Sequence, residues 1–211
     1  MLQKEITDLK LTEPWIEIET RVSPKSASLD ELVSNLKSIG SVHVRQVWMP
    51  AAGPTYEIWL VVKWGLGSLA TIWLTGKIYD IMRMYEKKLI DALKSFFNND
   101  VNQTELSSVS LEFDDTIIEF ERIDKGNLGL ISKFFNELPK HMKILTSKGI
   151  TNIRKISFIV YSDEMINILE KYGITCEIMN FNDQNLKIWN ISYHFGCSHA
   201  LYDSENEIIL E

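Results

Sequence analysis

"EIWLVVKWGLGSLATIWL", Glu57 to Leu74, is the most apolar stretch of the chain, and its reading decides the fold. It can be a membrane span, a phosphate-binding turn between a strand and a helix, or the centre of a soluble core. Ile58–Leu74 covers 17 residues, at the bottom of the roughly 17–25 residues a membrane helix needs. Lys63 lies inside it, a penalty of about 2.5–3.5 kcal/mol near a bilayer centre, and Gly65 and Gly67 interrupt it. Before the glycines the residues are β-branched and aromatic, as in a strand; beyond them they join a helical stripe. The expectation is therefore strand, turn, helix, with no stable membrane insertion.

"GLGS" between a strand and a helix has the geometry of an anion site, because unpaired N–H groups point out of a helix start. Gly65, Gly67 and Ser68 are thus candidate cofactor-binding residues. Ala70 stands where a dinucleotide fingerprint needs its third glycine, and Leu69 follows Gly67-Ser68 where a P-loop needs another pattern. The simpler reading is a tight turn with Ser68 capping the helix, and no cofactor is expected.

Downstream, Leu74, Ile78, Ile81, Tyr85, Leu89, Ala92 and Phe96 recur at steps of three or four. That is one apolar face of a long helix. Upstream, Ile16, Ile18, Thr20 and Val22 alternate with polar residues as a half-buried strand does. Ser28 and Glu31 read as a capping box ahead of a helix that ends near Gly40. "PAAGP", Pro50–Pro54, is a loop between strands. "VSLEFDDTIIEFERI" predicts a hairpin turning at Asp114-Asp115. Leu128, Ile131, Phe135, Leu138, Met142 and Leu145 mark another helix, which Pro139 should kink or break in two. "KISFIVYS" reads as a central strand and is followed by a short helix stopped at Gly173. Further strands are expected near Ile174–Asn180, Leu186–Tyr193 and Glu207–Leu210.

The fold class is α/β, an α+β-like sandwich in which a mixed sheet is packed by long amphipathic helices in two lobes. Residues 1–125 read as β-α-β-β-α-β-β and 126–211 as α-β-α-β-β-β, with one continuous domain as the alternative. The run from Leu29 to Ile123, with its helix, strand, Pro/Gly loop, strand entering the Gly-Ser turn, long helix and "DDTIIEF" hairpin, is similar to small effector-associated α/β domains of bacterial conflict systems. The resemblance rests on spacing and hydrophobic pattern. It implies a non-catalytic adaptor or recognition module.

Composition narrows the partner. The 211 residues are 45% hydrophobic and 24% charged, with a net charge of -7. Residues 1–125 carry 14 basic and 19 acidic groups and the remainder 8 and 10, so neither half has the basic surplus for gripping a phosphate backbone. Nucleic acid is not expected as the main partner. Two cysteines, Cys176 and Cys197, suit a reducing compartment better than a disulfide scaffold, and the polar N-terminus has no apolar signal region. The expected location is the cytoplasm.

Two clusters offer chemistry. His194, Cys197 and His199 in "YHFGCSH" could share a metal, with Cys176 or a carboxylate as fourth ligand, or set a thiol beside an imidazole. There is no paired C-x2-C knuckle, and Gly196 more simply marks a turn between strands. Glu112, Asp114, Asp115, Glu119 and Glu121 could hold Mg2+, but the alternation of Glu119 and Glu121 with Ile118 and Phe120 is that of a solvated strand face. Six Trp in an acidic chain point elsewhere, to aromatic anchors at an interface. The expected function is a non-catalytic binding protein with a protein partner, with homo-oligomerisation left open. The alternative is a small metal- or anion-binding enzyme using His194, Cys197 and His199 or the Gly65–Ser68 turn.

Overall fold

In the computed structural model, the structure describes residues 14–20, 27–47, 57–65, 76–99, 105–158, 163–174 and 186–211. They form nine strands: β1 Trp15–Thr20, β2 Ser41–Gln46, β3 Glu57–Lys63, β4 Glu105–Glu112, β5 Ile117–Ile123, β6 Ile153–Ser157, β7 Ile188–Tyr193, β8 Ser198–Asp203 and β9 Ile208–Leu210. The helices are α1 Ala27–Leu36, α2 Gly76–Asn99, α3 Leu128–Ser147 and α4 Asp163–Lys171. All nine strands join one mixed sheet in the order β2-β1-β3-β4-β5-β6-β7-β8-β9. The architecture is α/β, and no helix of the described residues is long and apolar enough to cross a membrane. The boundary near residue 125 falls in the β5–α3 connection, and the sheet continues across it through parallel pairing of β5 with β6.

Three β-α-β units, β1-α1-β2, β3-α2-β4 and β5-α3-β6, each join two adjacent parallel strands. Their helices share one face, where Ile16, Leu60, Val109, Phe120 and Ile156 meet Leu32, Leu89 and Phe134 in a single buried cluster. β5 runs opposite to β3 yet steps the same way across the sheet. The third crossover therefore has the opposite hand to the first two. Strand twist favours right-handed crossovers, so at least one unit departs from that rule.

α4 takes the other face. Leu169 packs with Ile188, Leu201 and Leu210 in a second, smaller apolar cluster beneath β7–β9. Thus the sheet is covered on both faces at its β7–β9 end. Across β1–β5 the described helices cover only one.

Several local expectations change. The α2 stripe is rotated by about one position, so Met82, Glu86, Leu89, Leu93 and Phe96 are buried while Ile81 and Tyr85 are only partly so. Glu31 accepts hydrogen bonds from Ser95 Oγ at 2.6 Å and Asn99 Nδ2 at 2.8 Å, pinning α1 to α2, and Ser28 lies inside the helix rather than ahead of it. Pro139 does not break α3 in two; the backbone bond it forfeits is outweighed by burial of Phe134, Phe135, Leu138 and His141 around it. The Asp114-Asp115 hairpin forms as expected, with Phe113 N–H donating to the Thr116 carbonyl. Gly149 (φ +83°) and Gly173 (φ +69°) end α3 and α4 in left-handed caps. Gly40 serves a different need: a Cβ there would sit 1.9 Å from the Pro14 carbonyl oxygen, where α1 turns into β2. Pro50–Pro54 and most of Ile174–Asn180 lie outside the described residues.

Candidate functional site

Parity along the strands fills the open face. Ile16, Ile18, Ile58, Leu60 and Val62 point to the helices and are buried. Their neighbours Trp15, Glu17, Glu19, Trp59, Val61 and Lys63 therefore point the other way and remain partly accessible. β4 and β5 continue this surface with Ser108, Glu112, Ile117, Glu119 and Glu121 in register.

Charge on the face is organised in pairs. Arg45 Nη1 lies 3.3 Å from Glu19 Oε1, Lys63 Nζ 3.6 Å from Glu112 Oε2, and Lys155 Nζ 2.6 Å from Glu119 Oε2. Lys63 also sits over the Trp15 ring, 4.6 Å from its centroid, and His43 meets the same ring edge-on at 5.3 Å. These are partly exposed pairs, each contributing about 0–1 kcal/mol; of them, the Lys63–Glu112 pair also holds a cation over Trp15. Glu17, Glu57 and Glu121 add carboxylates, so the face is acidic. At the irregularity between Ile58 and Trp59 it dips into a cavity of about 330 Å³, where Trp59, Ser108, Glu57 and Glu121 meet Arg122. The indole wall and carboxylates suit a cationic side chain better than an anion. The carboxylates read as a solvated strand face and a turn, with Mg2+ as the alternative, are divided: Glu112 and Glu119 engage lysines, and Asp114 and Asp115 lie in the hairpin turn.

The other sequence candidates are spread out. His194 lies in the short 3-10 turn between β7 and β8, at φ +47°, with its ring 4.8 Å from that of Tyr193. Cys197 is an exposed thiol just after that turn. His199 is on β8, its Nδ1 3.0 Å from Ser192 Oγ on β7. Among the described residues no three His, Cys, Asp or Glu side chains are disposed to share a metal ion. Gly65 follows β3 at φ +58°, whereas Gly67, Ser68 and Cys176 lie outside the described residues.

Two buried polar groups escaped the sequence reading. Glu86, on α2, pairs with Arg83 and accepts a hydrogen bond from Ser132 Oγ, while Arg83 Nη2 donates to Asn136 at 2.8 Å. This network ties α2 to α3. His141, on α3, places Nδ1 2.9 Å from the Tyr202 hydroxyl within a cluster of Phe134, Phe158 and Trp189. Burial, reinforced by Lys140, holds the His141 pKa below its ordinary value, against the pull of Glu137 and Glu207. Burial also pushes the Tyr202 hydroxyl up to about 12. Both groups are neutral near pH 7 and sealed in the core, so they serve packing. A charged or imidazole side chain at a helical apolar step was the only signal available for either.

Comparisons of this chain with protein-family models, with curated proteins and with solved structures gave no match.

Proposed function

We propose that this is a cytoplasmic, non-catalytic binding protein that docks a protein partner on the open face of its sheet, in an accessory, adaptor or immunity-type role within a bacterial conflict system. One observation carries the reading. The described helices cover a single face across β1–β5, and the other face presents Trp15 and Trp59 among glutamates. Aromatic anchors inside a polar rim are what protein interfaces concentrate. The acidic balance of that face, and of the whole chain at -7, suits a basic partner surface and faster encounter with it. The resemblance of residues 29–123 to conflict-system domains supports the biological setting.

Site-specific photo-crosslinking in the native host tests it. A benzoyl-phenylalanine at position 15 or 59 should capture one protein, identified by mass spectrometry. Trp15→Ala with Trp59→Ala should weaken binding of that protein by about 2 kcal/mol or more, as loss of a hot spot does. Capture only from Lys94 or Lys143, on the helix side, would overturn the assignment.

A further inference from the structure

The two edges of the sheet differ. β9 has three residues, a length that protects an edge from pairing. β2 has six, and all but Val42 are exposed. Ser41 N–H donates to the Pro14 carbonyl and Val47 N–H to the Thr20 carbonyl. Backbone direction alternates along a strand, so Ser41, His43 and Arg45 face β1, and the N–H and C=O groups of Val42, Val44 and Gln46 point off the edge.

Beside this edge, on the helix side, lies a cleft of about 520 Å³ between β2, the end of α1 and the middle of α2. Its lining sets Ile39, Val42, Met84 and Tyr85 among polar and backbone groups, and Lys37 and Lys88 stand on its rim. Val44 and Met84 are 47% and 46% exposed, the most accessible of the large apolar side chains described. Lys88 Nζ donates to the neutral Ser38 carbonyl at 3.1 Å, and among the described residues no carboxylate pairs with it. A basic cleft in a chain of net charge -7 runs against the overall balance.

We infer that the β2 edge is a second docking site, which takes an extended segment of another protein as an added strand, with apolar side chains entering the cleft and acidic ones meeting Lys37 and Lys88. Backbone bonds to Val42, Val44 and Gln46 supply affinity, and the cleft reads alternate side chains. Charge selects this occupant over a second copy. In a symmetric antiparallel pairing centred on Val44, both clefts would lie on the same side of the joined sheet, and each rim of Lys37 and Lys88 would meet another basic rim rather than carboxylates. The site is separate from the open face, so it stands or falls independently of the function proposed above.

The test is peptide display against the full chain, followed by affinity measurement on the enriched peptides. Acidic sequences with alternating apolar residues should be selected, and their binding should weaken with salt. Val44→Pro removes an outward N–H without touching the bonds to β1, and it should weaken binding about tenfold. Lys37→Glu with Lys88→Glu should do the same, whereas Trp59→Ala, on β3, should have no effect. Thermal melts of each variant confirm folding. Enrichment of no peptide, or of peptides that bind Val44→Pro and the double glutamate variant unchanged, would overturn the inference. So would a concentration-dependent dimer in sedimentation that Val44→Pro abolishes, since that would make a second copy the occupant.

Discussion

The two ends of the sheet are built to different plans. At β7–β9, α3 lies on one face and α4 on the other, and Trp189 touches Phe134, Phe158, His141 and Tyr202 in a sealed aromatic cluster. At β2–β4, α1 and α2 cover one face only, while Trp15 stands 38% exposed over the other and β2 leaves its backbone edge open. Trp189 is buried at one end, whereas at the other Trp15 stays at the surface although Trp64 is buried. Burial on both faces stabilises but leaves nothing to read. A sheet covered on one face gives up part of that stabilisation and keeps a surface.

This contrast can be broken by substitution. The largest effect is expected from Leu89→Asp, since Leu89 is fully buried on α2. An unpaired carboxylate there costs several kcal/mol, enough to remove the folded state of a typical domain. Loss of the cooperative transition in circular dichroism would show it; an unchanged melting temperature would mean that the helix layer is not core. Next come the tryptophans. Trp189→Ala should lower stability by about 3–5 kcal/mol and Trp15→Ala by about 0.5 kcal/mol or less, read from urea midpoints. Equal losses would erase the distinction between the two ends.

Gly40→Ala should have an intermediate effect, about 1–3 kcal/mol, because the new methyl meets backbone rather than a movable side chain. Proton exchange slowing unequally, with β2 protection lost before that of β7, would sharpen the contrast between a loose edge and a closed end. The smallest effect is on pH dependence. His141 is held neutral in the fold, so the unfolded chain binds the extra proton first. Stability is full above about pH 6.5 and falls as pH drops below that value towards the lowered folded pKa. His141→Gln should flatten this slope. Glu207, held low first by its hydrogen bond to Lys140, adds a loss only at more acid pH, below 4.5. A stability profile flat from pH 7 to 5 in the unmodified protein would place His141 in contact with solvent.

Much of the fold was legible because periodicity is local. The alternation at Ile16–Thr20, the existence of α2, though not the exact face it buries, and the Asp-Asp turn each depend on neighbours a few positions away. Glu86 and His141 were not legible, because each sits on a buried face only by virtue of a partner, Ser132 or Tyr202, 46 or 61 positions distant. The capping-box reading of Ser28 and Glu31 failed for the same reason: two side chains of α2 compete for the carboxylate. The open-face surface was half legible. Alternating Glu119 and Glu121 announced a solvated strand face, and the surplus of tryptophans announced that some would lie at the surface, as Trp15 and Trp59 do, but neither says that the two share one surface.

By itself the sequence determined most of the strands and helices, though β8 at Ser198–Asp203 was not among the strands it listed, the apolar side of most of them, with that of α2 off by about one position, and that the apolar run at Glu57–Leu74 begins as a strand. These follow from side-chain spacing and backbone geometry within a few residues. Only the tertiary structure decided the order and direction of the strands, the opposite hand of the third crossover, and the placing of α4 against the other helices' opposite face. A strand carries the same pattern whichever neighbour it pairs with, so which face stays open and which edge stays free are settled by contacts between residues far apart in the chain.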